Sequence, residues 1–243
     1  MLYLYAITEG PQAGWPELRG LQEAPVAPLP WRELAAVVSP VASEMVPPTE
    51  ANLWRHERVV ESVMAYRAVL PVRFGTVVED EPALRSLLQG QYDRFTVDLD
   101  RVRGRVELGV RVLTAAGAEP PPDRGCSPTS AGPAASADYG SGRAYLWARL
   151  EEERRVRAAR AQAESLVAGV HGALAPLAAH STHRVLATPR LLLTAAYLLE
   201  REQVPAFRQQ VEALSQAHPQ LHFLCTGPWP PYSFVTTAAP GLS

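Results

Sequence analysis

The side chains best equipped for chemistry stand in two stretches, "WRHERVVE" (Trp54–Glu61) and "LPVRFGT" (Leu70–Thr76). His56 with Glu57 or Glu61 has the make-up of a general base and its orienting carboxylate, and Arg73 that of an anion clamp. On a helical wheel, however, His56 falls inside the apolar arc, between Val60 and Val63, with Glu57 and Glu61 toward its edge. A histidine so placed is more often a packed, hydrogen-bonded core residue than a catalyst. The spacing therefore predicts a buried His56, with Arg73 pairing one of the glutamates to tie helix to strand.

A second candidate, "HSTH" (His180–His183), has histidines that resemble metal ligands, but no Cys, Asp or third His stands near them in sequence. Its place at a helix–strand junction reads as a loop. The chain has no glycine-rich phosphate loop, no GxSxG elbow and no CxxC pair. The "EEERR" run reads as a solvated helix face. No residue is assigned a catalytic, cofactor-binding or metal role, and the expectation is a protein that is not an enzyme.

Bulk properties narrow the field further. The 243 residues carry a net charge of −2, which removes a generic electrostatic case for nucleic acid. All 23 basic residues are arginine, scattered without forming a stripe. Cys126 and Cys225 lie far apart and form no disulfide framework, which favours a reducing compartment. "MLYLYAITEG" lacks the basic and apolar regions of a signal peptide, and no run reaches the ~18 apolar residues of a spanning helix. A soluble, cytoplasmic protein is expected.

The elements that must position these residues follow from periodicity. "LYLYAI" (Leu2–Ile7) and "ELAAVVSPV" (Glu33–Val41) read as strands, with turn-rich material between them, including "EAPVAPLPW". Thr49 is the N-cap of a helix through "WRHERVVE", followed by the strand "AVLPVRFGTVV" and one helix with Pro82 in its first turn. "RVELGVRVL" alternates as a half-buried strand. Thr114 to Ser141, rich in Ala, Gly, Pro and Ser, reads as a mobile loop. A helix from Arg143 to Ala179 carries a seam of Val156, Ala159, Ala163, Leu166, Val170, Leu174 and Leu177. Strands "HRVLAT" and "RLLLTAAYLLE", a helix from about Val204 to Ala217 and the strand "LHFLCTG" complete the chain.

The order β-α-β-β-α-β from Arg105 to Gly227 is that of a ferredoxin-like unit. The expected fold class is therefore α+β with two domains. Residues 1–103 form a β-β-α-β-α unit, and residues 104–243 a modified ferredoxin-like sandwich. The mobile loop 114–141 and a Pro/aromatic tail, 226–243, belong to the second. In the tail, "TGPWPPYSFV" (Thr226–Val235), three prolines stiffen a segment loaded with Trp229, Tyr232 and Phe234. The expectation is a strap folded over the second domain, its prolines keeping it out of the sheet.

"AVLPVRFGTV" (Ala68–Val77), "SGRAYLWAR" (Ser141–Arg149) and "TGPWPPYSFV", with "LYLYAI" and "WRHERVVE", together carry a resemblance. In this order of blocks, the chain resembles the gas vesicle protein F/L family nearly end to end. The resemblance implies two α+β domains, the second a modified ferredoxin-like fold, and an accessory or minor structural role without accepted catalytic residues. It further implies contact of the N-terminal domain with the small hydrophobic shell protein, company with other gas vesicle accessory proteins, and a place in gas vesicles. "LYLYAI" is a possible edge strand for capping such a subunit by β-addition. No nucleic acid or lipid membrane is expected as partner. The alternative reading is a ferredoxin-like small-molecule-binding regulator or an enzyme using His56, Glu61 and Arg73. Its mark is a concave pocket where those three converge.

Overall fold

The structure, a computed structural model, describes residues 1–10, 15–114, 139–185 and 191–236. Two mixed sheet-and-helix regions follow one another along the chain. The first is built on β1 (Leu2–Glu9), β2 (Leu18–Arg19), β3 (Pro25–Trp31) and β4 (Leu34–Pro40), completed by β5 (Val69–Pro71) and β6 (Val77–Val78). Its strand order is β2-β3-β4-β1-β5, with β6 also pairing β1.

β1 is thus central, not an edge. It pairs β4 on one side and both β5 and β6 on the other, and Tyr3 to Thr8 are all buried. The reason lies in its composition: both faces of "LYLYAI" are apolar or aromatic, so both are covered. Leu4 and Ile7 join one hydrophobic cluster, while Tyr3, Tyr5 and Ala6 join another. β3 is a strand although Pro25, Pro28 and Pro30 argue for a loop. It pairs β4 from Ala27↔Val38 to Trp31↔Leu34, while the two-residue β2 covers only its first part. Pro28 and Pro30 therefore lie on an unpaired edge, where a missing N–H costs nothing.

Helix α1 (Glu50–Met64) starts at Thr49, whose side chain accepts from the Asn52 amide. It buries His56, Val59, Val60, Val63 and Met64. The single helix expected after Pro82 is two, α2 (Glu81–Gly90) and α3 (Tyr92–Val102), broken at Gln91.

The second region comprises β7 (Arg105–Thr114), α4 (Tyr139–Leu174), β8 (His180–Val185), β9 (Leu191–Glu200), α5 (Val204–Ala217) and β10 (Leu221–Trp229). All its pairings are antiparallel, in the order β10-β7-β9-β8. Leu108, Val110, Val112, Leu193 and Tyr197 pack with Val167, Val170, Leu174 from α4 and Phe207, Val211 from α5. Of the long loop expected over Thr114–Ser141, residues 115–138 lie outside the described residues, while Thr114 ends β7 and Tyr139–Ser141 begin α4.

The expected α4 seam reaches the core only in its C-terminal half. Val156 is exposed, as are Tyr145, Leu146 and Trp147. A helix of 36 residues spans about 54 Å, whereas the ten-residue strands beneath it span about 33 Å. The N-terminal half of α4 has no sheet under it. The side chains of Ala159 and Ala163 lie outside the described residues.

β9 is buried on both faces, which explains its near-continuous apolar run. Leu193, Tyr197 and Leu199 face α4 and α5, whereas Ala196 and Leu198 join a cluster with Leu84 and Leu88 of α2, Leu99 and Val102 of α3, and Phe234 of the tail. The core is therefore continuous across the two regions.

Candidate functional site

His56 is buried, 1% exposed, and both its ring nitrogens are partnered. Nδ1 lies 3.0 Å from the Tyr3 hydroxyl, and Nε2 lies 3.3 Å from the Tyr232 hydroxyl. Each neighbour restricts the roles. Tyr3 Oη accepts the Gly75 amide at 3.0 Å, leaving its proton for Nδ1. Tyr232 Oη donates to Glu57 Oε1 at 2.8 Å, so it accepts from Nε2–H. The result is one directional chain, Gly75–Tyr3–His56–Tyr232–Glu57, which the Val72 backbone joins at the imidazole. Tyr5 stacks on the imidazole at 5.7 Å, and its hydroxyl is taken up by Ser39 and the Leu21 amide.

Burial sets the protonation states along this chain. Desolvation pulls His56 from 6.5 to about 4, against a smaller opposing hydrogen bond with the Val72 backbone, so the ring is neutral near pH 7. Tyr3 and Tyr232 are pushed well above the ordinary phenol range, chiefly by burial. Glu57 is raised by burial too, with the Tyr232 hydroxyl working the other way. A neutral imidazole sealed between two tyrosines and stacked on a third touches no open space. It holds α1 to β1 and to the tail.

The residues proposed to converge for catalysis do not. Glu61 lines an open groove, while Arg73 is exposed in the turn between β5 and β6, where its carbonyl accepts from Thr76. Among the described residues Arg73 makes no ion pair, so the expected link to Glu57 or Glu61 is absent; the Tyr3–His56 and Tyr232–Glu57 hydrogen bonds join the elements instead. His180 and His183 sit in the exposed strand β8, not a loop, and His183 packs its ring 4.0 Å from His171. No group of three or more potential metal ligands occurs among the described residues.

The tail departs from expectation in what it packs against. β10 continues through Pro228 to Trp229, which pairs Glu107 after a bulge, and as the sheet's edge strand it tolerates the proline. Gly227 is required there: its φ is 108°, and a Cβ would sit 2.7 Å from the Glu107 carbonyl. Beyond it the tail reaches both regions. Ser233 donates its amide and hydroxyl to Glu107 at 2.8 and 2.7 Å, and Thr236 does the same to Asp98 at 2.8 and 2.9 Å. Phe234 is buried, but Trp229 and Tyr232 keep much of their rings exposed. The strap thus joins α1, α3 and β7. Three carboxylates hold it, and burial raises Glu107 while the Ser233 hydrogen bonds oppose that shift.

Between α1 and this tail lies a groove of about 480 Å³. Leu53 and Trp54 form one wall, Trp229 and Tyr232 the other, and Glu50, Glu57 and Glu61 rim it. Sequence reasoning had found Glu57, Glu61 and the tail aromatics but not that they meet. The alternating tyrosines of "LYLYAI" were the available signal for Tyr3 and Tyr5 as partners of a buried histidine.

A family model described as "Gas vesicle synthesis protein GvpL/GvpF" matches residues 1–236. The chain belongs to this family. It is 32% identical over 256 residues to gas vesicle protein L of Streptomyces sp. (strain CB03234), covering 97% of this chain and 93% of that protein. It is 27% identical over 238 residues to gas vesicle protein F2 of Halobacterium salinarum, covering 96% of this chain and 91% of that protein. The crystal structure of the gas vesicle protein GvpF from Anabaena sp. PCC7120 superposes with a TM-score of 0.77 at 24% identity, covering 98% of this chain and 99% of that one. That likeness gives the GvpL/GvpF family fold to this chain's mixed sheets and helices. No helix among the described residues is long and apolar enough to cross a membrane.

Proposed function

We propose that the chain is a non-enzymatic accessory or minor structural component of gas vesicles, which binds the small hydrophobic shell protein and assists nucleation or growth of the vesicle. The observation that carries this reading is the groove between α1 and the tail. It exposes two tryptophans and a leucine together, inside a family whose members are gas vesicle proteins. A shell subunit carries a large apolar face before it is incorporated, and a soluble partner that covers the face keeps it from aggregating. The protein works in the cytoplasm where vesicles grow, beside other gas vesicle accessory proteins.

On this reading the chain is two domains acting as one body. The second has the ferredoxin-like strand arrangement, supported by the order β10-β7-β9-β8 and by two helices on one face. The first supplies the helix that faces the partner, and the tail locks the two together.

The test is co-expression of the full chain, affinity-tagged, with the shell protein, followed by pull-down and by counting vesicles in a strain lacking the gene. Co-purification together with loss of vesicles in the deletion strain is expected. A deletion strain with normal vesicle number and size overturns the assembly role.

A further inference from the structure

The groove can be assigned an occupant. Leu53, Trp54, Trp229 and Tyr232 are 41%, 66%, 43% and 37% exposed, respectively, and sit together on one face. Single exposed apolar residues are ordinary, but aromatic and aliphatic groups gathered in a concave site mark an interaction surface. The charge on its rim has one sign: Glu50, Glu57 and Glu61, with no arginine in the lining. This contrasts with the neighbouring cavity along α1, which shares Trp54 with the groove but where Arg19, Arg55 and Arg58 stand with Glu17 and Glu23, and where Arg55 pairs with Glu23.

The rim also has a direction. Glu50, Leu53, Trp54, Glu57 and Glu61 follow one another at helical spacing along α1, covering eleven steps or about 16 Å. That length matches three turns of a second helix laid alongside, with large side chains at i, i+3, i+4 and i+7 entering the groove.

We propose that this groove docks one amphipathic helix of the shell subunit, with its large aliphatic side chains against Trp54 and Trp229 and its flanking Lys or Arg side chains on Glu50, Glu57 and Glu61. The assignment rests on the reading that a shell subunit is the partner. Charge complementarity selects a basic margin, because an acidic one would meet three like charges at close range. The opposite wall is made by the tail, so the site is complete only while Tyr232 is held on Glu57. Docking is then coupled to closure of the strap.

Two probes separate the groove from the identity of its occupant. The first is a fluorescein-labelled synthetic helix of about 14 residues, with leucines on one face and arginines along its margins. A sister peptide carries glutamates there, and another is interrupted by proline. Anisotropy titrations use the full chain, wild type and variants, each checked by far-ultraviolet circular dichroism. The arginine peptide should bind at least about tenfold more tightly than either sister. Trp54→Ala, at a mostly exposed position, should weaken it at least about tenfold. Glu50→Gln with Glu61→Gln should weaken it and flatten its salt dependence.

The second probe is the shell protein itself, pulled down with the same variants. Retention by wild type and loss in Trp54→Ala is the expected result. Retention by Trp54→Ala at wild-type level overturns the groove assignment while the partner reading stands. Absence of the shell protein from the wild-type pull-down overturns the partner reading, and the occupant named here falls with it. Equal binding of the arginine, glutamate and proline-containing peptides shows a non-specific apolar patch and overturns the helix-docking mode.

Discussion

The Tyr232 hydroxyl donates to Glu57 Oε1 at 2.8 Å across 175 positions of sequence. This one contact closes the hydrogen-bond chain that begins at Gly75 and passes through the buried His56. It also fixes the wall of the apolar groove. A residue of the last sheet's trailing segment therefore completes both the packing of the first helix and the surface that helix presents. The tail's seat on α1 and the groove's second wall therefore share this contact.

Phe234 is the tail's apolar anchor, packed in the cluster that joins β1, α2, α3 and β9. Phe234→Ala should cost about 3–5 kcal/mol, the range for emptying a large buried aromatic site. Because this cluster spans both regions, urea unfolding should remain a single transition that moves as a whole. Two separated transitions, with only the later one shifted, would show that the regions are energetically independent.

Asp98 is buried and accepts from Thr236 twice, while Arg101 bonds Asp98 at 2.6 Å and the Phe234 carbonyl at 3.1 Å. Asp98→Ala removes the common acceptor and should destabilise by about 1–3 kcal/mol. The local signature is sharper than the global one. Hydrogen exchange at the Thr236 amide should rise well beyond the change at Val110, in the middle of β7. Equal changes at both positions would show a general loosening with no particular release of the tail.

These relationships divide by what periodicity can carry. The burial of His56 followed from its place between Val60 and Val63, and β7, β9 and β10 followed from their apolar patterns and turn signals, whereas β8 begins at His180, inside a stretch that polar composition marks as a loop. β3 was hidden because Pro25, Pro28 and Pro30 argue against a strand unless the edge is known, and an edge is a property of the whole sheet. The centrality of β1 was hidden for a related reason: two apolar faces fit a covered strand, but nothing local says what covers them. The groove combines residues near position 55 with residues near 230, and one sequence offers no signal for such a meeting. Arg73 was drawn toward the glutamates by charge alone, and the turn between β5 and β6 points it outward.

Arg73 separates the structural account from the catalytic one. Its side chain is exposed and its visible bonds are through the backbone carbonyl. Arg73→Ala should change stability by no more than about 0.5 kcal/mol and leave vesicle formation in a complemented deletion strain at the wild-type level. A loss of vesicles with an unchanged melting curve would reopen Arg73 as a contact for a ligand or partner.

His56 makes the pH dependence specific. The unfolded histidine takes up a proton near 6.5, whereas the folded one, desolvated between Tyr3 and Tyr232, resists it down to about 4. Between those values the unfolded state binds more protons, so this contribution to stability rises with pH. It is complete above 6.5 and lost as pH falls to 4, and it amounts to roughly 3 kcal/mol at most. Glu57 and Glu107 act with the opposite sign, since burial makes the folded carboxyls hold protons that the unfolded ones release, and their stabilisation fades as pH rises. His56→Gln removes the first effect and keeps the second. The measurement is urea unfolding of both proteins from pH 4 to 7.5. The variant should be about 1–3 kcal/mol less stable at pH 7.5, from its imperfect hydrogen bonds to Tyr3 and Tyr232. That deficit should shrink steadily below pH 6.5 and nearly vanish close to pH 4.5, because only the wild type carries the penalty of protonating the ring. A deficit that stays constant over the whole range means that His56 titrates alike in both states, and the sealed, neutral imidazole described above would be wrong.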